Sequence, residues 1–358
     1  MAAEEPPNVI VITEPPRRFS AGLAGLVALG IAALAGLGGF LRQRASASVT
    51  IHSEPVVYTQ RGSASGTIHS EPAVDPQRTP ASVTSPSEPA VYTYRVVRRF
   101  QHDPNAFTQG LLWSNGSLFE STGLYGESTL RELQLGSNGE VHVVRQLPLD
   151  RRDFGEGLVQ KRGQLLQLLW RTGEGIRYYV QAGEHEQLRQ AGRFRTPLND
   201  GWGIEFDGEN LVVTDSGHEL IFLDPEDFRI KKRVSVTDNG KLIEMINELE
   251  MIGDELWGNI YGKDCLARID KTSGSVTGWL VLDGILDRRS AAAEAKAARR
   301  RGPDVLNGIA WDPDGKRIFV TGKLWPAMFE IQLEPAREIT LERARRMCIP
   351  TRNIFRLR

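Results

Sequence analysis

Five stretches of this 358-residue chain are variants of one another, and a repeat of roughly 45 residues leaves few folds open to it. The copies read FTQGLLWSNGSLFEST, FGEGLVQKRGQLLQLLW, GWGIEFDGENLVVTD, INELEMIGDELWGNIY and LNGIAWDPDGKRIFVTGK. Each runs from a small polar motif and an apolar residue through a turn into a strand. Aligned, they set Gln109, Glu156, Trp202, Asn247 and Asn307 in one column, at intervals of 47, 46, 45 and 60. A further strand follows each copy, among them LRELQL, ELIFLDP, CLARID and MFEIQL. Four short strands in about 45 residues make one propeller blade. The chain is therefore expected to be all-β, a five-bladed β-propeller over residues 93–333. The long last interval holds SAAAEAKAARRR, expected to be a helical insertion at 288–302. Residues 334–358 are left over as a C-terminal extension, either a closing strand or a helix on the rim. A β-sandwich with accidental periodicity is the competing fold.

What precedes the repeats is not core-forming. After an N-terminal tail, 1–18, comes FSAGLAGLVALGIAALAGLGGF at 19–40, without a charge. At 1.5 Å per residue this run reaches about 33 Å, enough for a transmembrane helix. Arg17 and Arg18 before it balance Arg42 and Arg44 after it, so the positive-inside rule leaves the orientation open. A cleaved signal peptide is the rival reading; the length and late start of the run favour an uncleaved signal anchor. Residues 41–92 repeat Ser-Glu-Pro at Ser53, Ser70 and Ser87 and read as a disordered Ser/Pro-rich linker, so His52 and His69 receive no functional role. The net charge of -1 gives no electrostatic footprint for nucleic acid. Two cysteines, Cys265 and Cys348, allow one bridge or two free thiols, and no Cys/His cluster has zinc-site spacing.

In a propeller the innermost strands line a central channel, so the aligned column becomes a ring at one mouth of it. A repeated core position should be apolar and uniform; this one is polar and varied, which marks a site. A second column about fourteen residues later holds Trp170, Asp215, Tyr261 and, at sixteen, Lys323. Glu156, the one carboxylate of the first ring, would be partly desolvated by Phe154, Trp170 and Trp202. That raises its pKa toward the range of a general acid/base. Lys323 would stabilise an oxyanion, and Asn247 and Gln109 would orient an amide or ammonium group. His102 is read as a structural histidine. Asp103, Glu120, Asp153, Glu250 and Asp304 are read as caps on turn amides. No GxSxG elbow offers a serine nucleophile.

With these residues in view the chain resembles the plant and bacterial type of glutaminyl-peptide cyclotransferase (glutaminyl cyclase) from about Val96 to Leu333. The motifs are His102-Asp103-Pro104-Asn105-Ala106-Phe107-Thr108-Gln109-Gly110-Leu111, Glu120-Ser121-Thr122-Gly123-Leu124-Tyr125-Gly126, Phe154-Gly155-Glu156-Gly157-Leu158 and Gly201-Trp202-Gly203. Asn247-Glu248-Leu249-Glu250, Asp304-Val305-Leu306-Asn307-Gly308 and Thr321-Gly322-Lys323-Leu324-Trp325-Pro326 follow in order. The resemblance implies a five-bladed propeller with its active site at the channel mouth. It puts functional residues at Phe107, Gln109, Phe154, Glu156, Trp170, Trp202, Asn247 and Lys323. One family tryptophan falls on Tyr261, a smaller wall with a hydroxyl. The catalytic set is then Glu156, Lys323 and Asn247, and the substrate-binding set Phe107, Gln109, Phe154, Trp170, Trp202 and Tyr261.

The implied reaction turns the N-terminal glutamine of peptides and proteins into pyroglutamate with release of ammonia. It needs no catalytic cofactor or metal ligand set, and leaves room for a structural metal ion on the channel axis. Family members are secretory, which places a monomeric, single-pass enzyme in the endoplasmic reticulum or Golgi membrane with its catalytic domain lumenal. The sequon Asn115-Gly116-Ser117 fits that compartment. Two alternatives stand beside it: a calcium-dependent lactonase-like propeller hydrolase, for which Gln, Trp and Lys are poor ligands, and a non-catalytic propeller binding module.

Overall fold

The structure, a computed structural model, describes residues 88–180 and 188–350. By contacts the chain divides into residues 1–76 and 77–358, and every described residue lies in the second unit. The expected tail 1–18, the anchor 19–40 and nearly all of the linker 41–92 fall outside the described residues. Among those described, no helix is long and apolar enough to cross a membrane.

The described chain is all-β apart from two short helices. Three antiparallel four-stranded sheets follow one another over residues 108–148, 155–195 and 204–235, each strand pairing with the next in sequence. A further sheet of eight strands combines 246–281 with 306–335 and Ala90–Gln101. Tight turns make this meander, as at Asn115-Gly116, where both residues take positive φ (50° and 83°) between Thr108–Ser114 and Ser117–Thr122. The first strands Thr108–Ser114, Gly155–Lys161, Ile204–Phe206, Ile246–Ile252 and Leu306–Asp312 pack in a cycle, each against the next and the last against the first.

The fifth copy has only three strands of its own, and its fourth comes from the other end of the chain. Ala90–Gln101 runs antiparallel to Ala327–Pro335, from Tyr92 opposite Pro335 to Gln101 opposite Ala327. This strand begins inside the range expected for the linker. The segment after 335 does not close the sheet; it forms the helix Leu341–Cys348, capped by Thr340, and Cys348 makes a disulfide with Cys265. The other helix, Arg288–Ala297, lies where the Ala/Arg-rich insertion was expected and starts on the Asp287 side chain, which accepts from Arg289 N and Ser290 N. Arg288 ties it to Asp264 and to the Asp304 carbonyl, and Arg301 pairs with Glu127.

Glycine lets the first strands approach. Gly157 N donates to Trp202 O at 2.8 Å, and a Cβ at Gly157 would meet that oxygen at 2.6 Å. A Cβ at Gly203 would stand 2.1 Å from Asn247 O. Four copies therefore carry glycine after the polar residue of the column, at Gly110, Gly157, Gly203 and Gly308. The fourth copy has Glu248 there, and its carboxyl fills the space between strands. One oxygen accepts from Leu111 N at 3.1 Å and the other from Ile309 N at 2.8 Å, stitching three first strands together. Apolar clusters lie farther out, between adjacent sheets; Val159, Leu166, Ile204, Leu211 and Ile221 fill one of them.

Candidate active site

The residue that opens each inner strand, and the one that ends the second strand, come together at one end of the barrel of strands. Phe107 precedes Thr108–Ser114, Phe154 precedes Gly155–Lys161, and Trp202 lies just before Ile204–Phe206. Trp170, Tyr261 and Lys323 directly follow Gln164–Leu169, Glu255–Ile260 and Arg317–Gly322. Backbone bonds hold the loops, with Trp170 N donating to Phe154 O at 3.0 Å and Lys323 N to Val305 O at 2.9 Å.

Their side chains form a closed circuit. Phe107 meets Phe154 edge-on with centroids 6.1 Å apart, and Phe154 meets Trp170 at 5.1 Å. Trp202 packs on Tyr261 at 5.6 Å. Two charged groups join these runs. The Lys323 ammonium lies 4.9 Å from the centre of the Phe107 ring and 5.4 Å from that of Tyr261. Opposite in charge, Asp200 Oδ1 accepts from Trp170 Nε1 at 2.9 Å and from Trp202 Nε1 at 3.3 Å. The chemistry follows the aromatic quadrupole: ring faces take the cation, indole edges take the anion. Tyr125, exposed, packs edge-on against Phe154 at 5.4 Å and extends the aromatic surface outward.

Glu156 is 4% exposed, and one carboxylate oxygen accepts from Gln109 Nε2 at 3.1 Å. Burial pushes its pKa up to about 8; Lys323 pulls it down and Asp200 pushes it up further. Lys323, also 4% exposed, is lowered by burial and held up by Glu156 and Asp304. A buried carboxyl whose pKa is raised, in the field of a buried cation, can take a proton from one nitrogen and give it to another. Asn307 extends the polar floor, its Nδ2 donating to Thr108 O at 3.0 Å and meeting Gln109 Oε1 at 3.5 Å.

The glutamine cyclotransferase family matches residues 70–333. This chain belongs to that family. It is 40% identical over 242 residues to a glutaminyl-peptide cyclotransferase of Arabidopsis thaliana, covering 67% of this chain and 71% of the relative. The crystal structure of Myxococcus xanthus glutaminyl cyclase superposes with a TM-score of 0.58 at 35% identity, covering 70% of this chain and all of the other.

Of the expected cyclotransferase site, ring and cation contacts join Phe107, Phe154, Trp170, Trp202, Tyr261 and Lys323, with Asp200 between the two tryptophans, while Gln109 and Glu156 pair with each other and Glu156 lies in the field of Lys323. Asn247 is buried next to Gly203. Its carbonyl accepts from Thr214 Oγ1 at 2.7 Å, and its side-chain Oδ1 has no hydrogen-bond partner among the described residues. Asp200 was missed. It stands in Leu198-Asn199-Asp200-Gly201, which reads as a turn, and only the indoles on both sides of it reveal its place.

Three carboxylates expected to cap turns do other work. Glu120 is fully buried and binds His102 Nε2 at 2.9 Å and Thr108 Oγ1 at 2.7 Å, with Arg131 at 3.8 Å. Asp153 pairs with Arg193. Glu250 accepts from Trp311 N at 2.9 Å on a neighbouring inner strand. Asp103 does cap, accepting from Asn105 N at 2.9 Å, and it also binds Arg131. His102 is structural, its other nitrogen 2.8 Å from Trp325 O.

For the structural ion for which the resemblance leaves room, the inner strands offer the buried Oδ1 atoms of Asn247 and Asn307, which have no hydrogen-bond partner among the described residues. Of the inner-strand carboxyls, Glu248 accepts from backbone N–H groups through both oxygens, and Glu205 and Glu250 through one each, the Phe206 N–H at 2.6 Å among them. Burial pushes Glu205 up to about 7 and the other two well above the usual carboxylate range, toward their uncharged forms. Among the described residues no group of three or more His, Cys, Asp or Glu side chains is placed to hold a metal ion.

Proposed function

We infer that this chain is a glutaminyl-peptide cyclotransferase, converting the N-terminal glutamine of peptides and proteins to pyroglutamate and releasing ammonia. The observation that carries the reading is the buried carboxyl of Glu156, bonded to Gln109 and in the field of Lys323, whose ammonium lies against the rings of Phe107 and Tyr261; burial pushes the pKa of that carboxyl up to about 8. Membership of the family and 40% identity to a protein of that activity support it. The cyclic packing of five first strands supports a five-bladed propeller as the frame.

The reaction joins the substrate's α-nitrogen to its own side-chain carbonyl carbon and breaks that carbon's bond to the amide nitrogen. Folding the glutamine side chain back between Phe107, Phe154, Trp170, Trp202 and Tyr261 makes the attack a near-unimolecular event. An N-terminal amine ionises near pH 7.7–8.0, and burial pushes Glu156 up from the usual carboxylate range toward that of the amine, which suits it to exchange a proton with the substrate nitrogen. Glu156 takes the proton from the attacking amine and returns it to the departing nitrogen, which leaves as ammonia. Lys323 faces the oxyanion that forms between these steps. Gln109 steadies Glu156, and the unpartnered Oδ1 of Asn247 accepts from the substrate amide. The chemistry calls for no cofactor or metal.

Placement in the secretory pathway, with the catalytic domain lumenal behind a single-pass anchor at 19–40, rests on the uncharged 22-residue run and on the Cys265–Cys348 bridge, which an oxidising compartment preserves. The deciding assay measures ammonia and pyroglutamate from Gln-Gln dipeptide and from a longer peptide with N-terminal glutamine. Stoichiometric formation of both products is expected; an inert wild-type enzyme defeats the assignment.

A further inference from the structure

We propose that Asp200 is a positioning residue of the cyclisation site, its carboxylate locking the indoles of Trp170 and Trp202 into one wall around the substrate. The proposal rests on the cyclotransferase reading. The two tryptophans belong to neighbouring sheets, one after Gln164–Leu169 and the other before Ile204–Phe206. Their backbones are already fixed, through Trp170 N to Phe154 O and Trp202 N to Thr214 O at 2.9 Å. What remains free is rotation of the rings. An indole has a single donor, and both donors end on the same oxygen, Asp200 Oδ1. That oxygen thus links the Phe107–Phe154–Trp170 run to the Trp202–Tyr261 run on this side of the circuit.

A third group completes the clamp. Arg171 lies over the Trp170 ring at 4.3 Å, with its Nε 3.9 Å from Asp200 Oδ1. The indole is therefore held at its edge by an anion and on its face by a cation. The Asp200 side chain is 28% exposed, so its charge stands at the rim rather than at the reacting atoms. It still reaches Glu156, whose facing groups are Gln109, Lys323 and Asp200. Asp200 thereby acts on the reaction twice, through the shape of the wall and through the field on the acid.

Two substitutions separate these effects. Asp200→Asn keeps an oxygen acceptor for both indoles and removes the charge. Asp200→Ala removes both. With a Gln-peptide substrate, Asp200→Ala is expected to lower kcat/KM on the order of 10–10²-fold, the scale of a misplaced wall. Asp200→Asn should recover most of that loss at its own optimum. Its pH profile should also move to lower pH, because a charge that raises the Glu156 pKa has gone. In a double-mutant cycle Asp200→Ala and Trp170→Phe should be non-additive, since each breaks the same contact. The proposal is overturned if Asp200→Ala matches wild type, if Ala and Asn variants are equally impaired, or if the cycle is additive. Should Asp200→Ala fail to fold, the Asn variant decides alone: an unchanged pH profile refutes the action on Glu156, and a loss as large as Trp170→Phe refutes rescue of the indole contacts. An inactive wild type instead removes the cyclotransferase reading itself, a separate and recognisable failure.

Discussion

Glu120 and Glu156 are equally hidden from water, yet they titrate in opposite directions. Burial pushes both up. At Glu120 the charge and hydrogen bond of His102, the charge of Arg131 and the Thr108 hydroxyl outweigh it, and the pKa falls below the usual carboxylate value. At Glu156 one neutral amide and the charge of Lys323 do not, and the pKa rises to about 8. Burial alone therefore does not make an acid catalyst; a shortage of partners inside a buried site does. The accompanying cations differ in the same way. Arg131 is held by the carboxylates of Asp103 and Glu120, whereas Lys323 lies over the rings of Phe107 and Tyr261. One region is an ion-paired structural cluster, the other a poised site.

The largest effects should fall on opposite properties. Glu156→Gln keeps the shape and removes the titration, and kcat should drop on the order of 10²–10⁴-fold while the circular dichroism spectrum stays that of wild type. Glu120→Ala should leave kcat per folded molecule unchanged but lower unfolding free energy by about 3–5 kcal/mol, because His102 and Arg131 lose their buried partner. Urea titration reads the second and steady-state kinetics the first. A Glu120 variant that is stable but inactive would erase the distinction between the two regions.

Titrating stability sharpens the contrast. Glu156 has a folded pKa raised from 4.5 to about 8, so the folded state holds the extra proton and loses stability as pH rises through that window. Glu156→Gln should melt with wild type below pH 4.5 and above it by pH 9. For the other region the signs differ. Glu120, depressed, contributes above its unfolded pKa near 4.5 and loses that contribution as pH falls through its lower folded value. In His102, burial lowers the pKa but Glu120 raises it further, so the net shift is upward; its contribution is full below 6.5 and fades as pH rises through the folded value. The gap in melting temperature between wild type and Glu120→Gln should therefore be widest between about pH 4.5 and 6.5. Melting curves from pH 3 to 9 test both; a Glu156→Gln gap that does not widen with pH removes the raised pKa.

How far such a contrast can be read from residues alone depends on where the partners lie in the chain. The column Gln109, Glu156, Trp202, Asn247, Asn307 was visible because polar, unlike residues occupied a position that packing alone would make apolar and alike. Lys323 followed from the same register. The partners were not visible. Glu120 meets Arg131 directly across its own hairpin, but its main partner His102 lies eighteen residues back, outside that hairpin, so it looked like a turn cap. Asp200 lay inside a turn signal, and its role depends on a tryptophan thirty residues earlier. Glu248 did carry a signal, as the one acid in a column otherwise held by glycine. The closing strand Ala90–Gln101 and the Cys265–Cys348 bridge join segments far apart in sequence, beyond the reach of a local repeat.

The smallest effect tests how Lys323 is held. If ring faces rather than carboxylates carry the ammonium, it is the face of Tyr261 that matters to Lys323. Tyr261→Phe should then stay within about threefold of wild-type kcat, the lower end of a cation–π contact. Tyr261→Leu fills the volume without the quadrupole and should lose up to about 2 kcal/mol of transition-state stabilisation, roughly 30-fold in kcat/KM. Tyr261→Trp offers the best face of the three and should hold the ammonium at least as well, with any cost appearing in KM, because a larger ring next to Trp202 narrows the wall. Kinetics of the three variants on one Gln-peptide give the ranking Trp or Tyr, then Phe, then Leu in kcat. Were Leu to equal Phe, the rings would be mere walls, and the cation of this region would need an anchor no different in kind from that of Arg131.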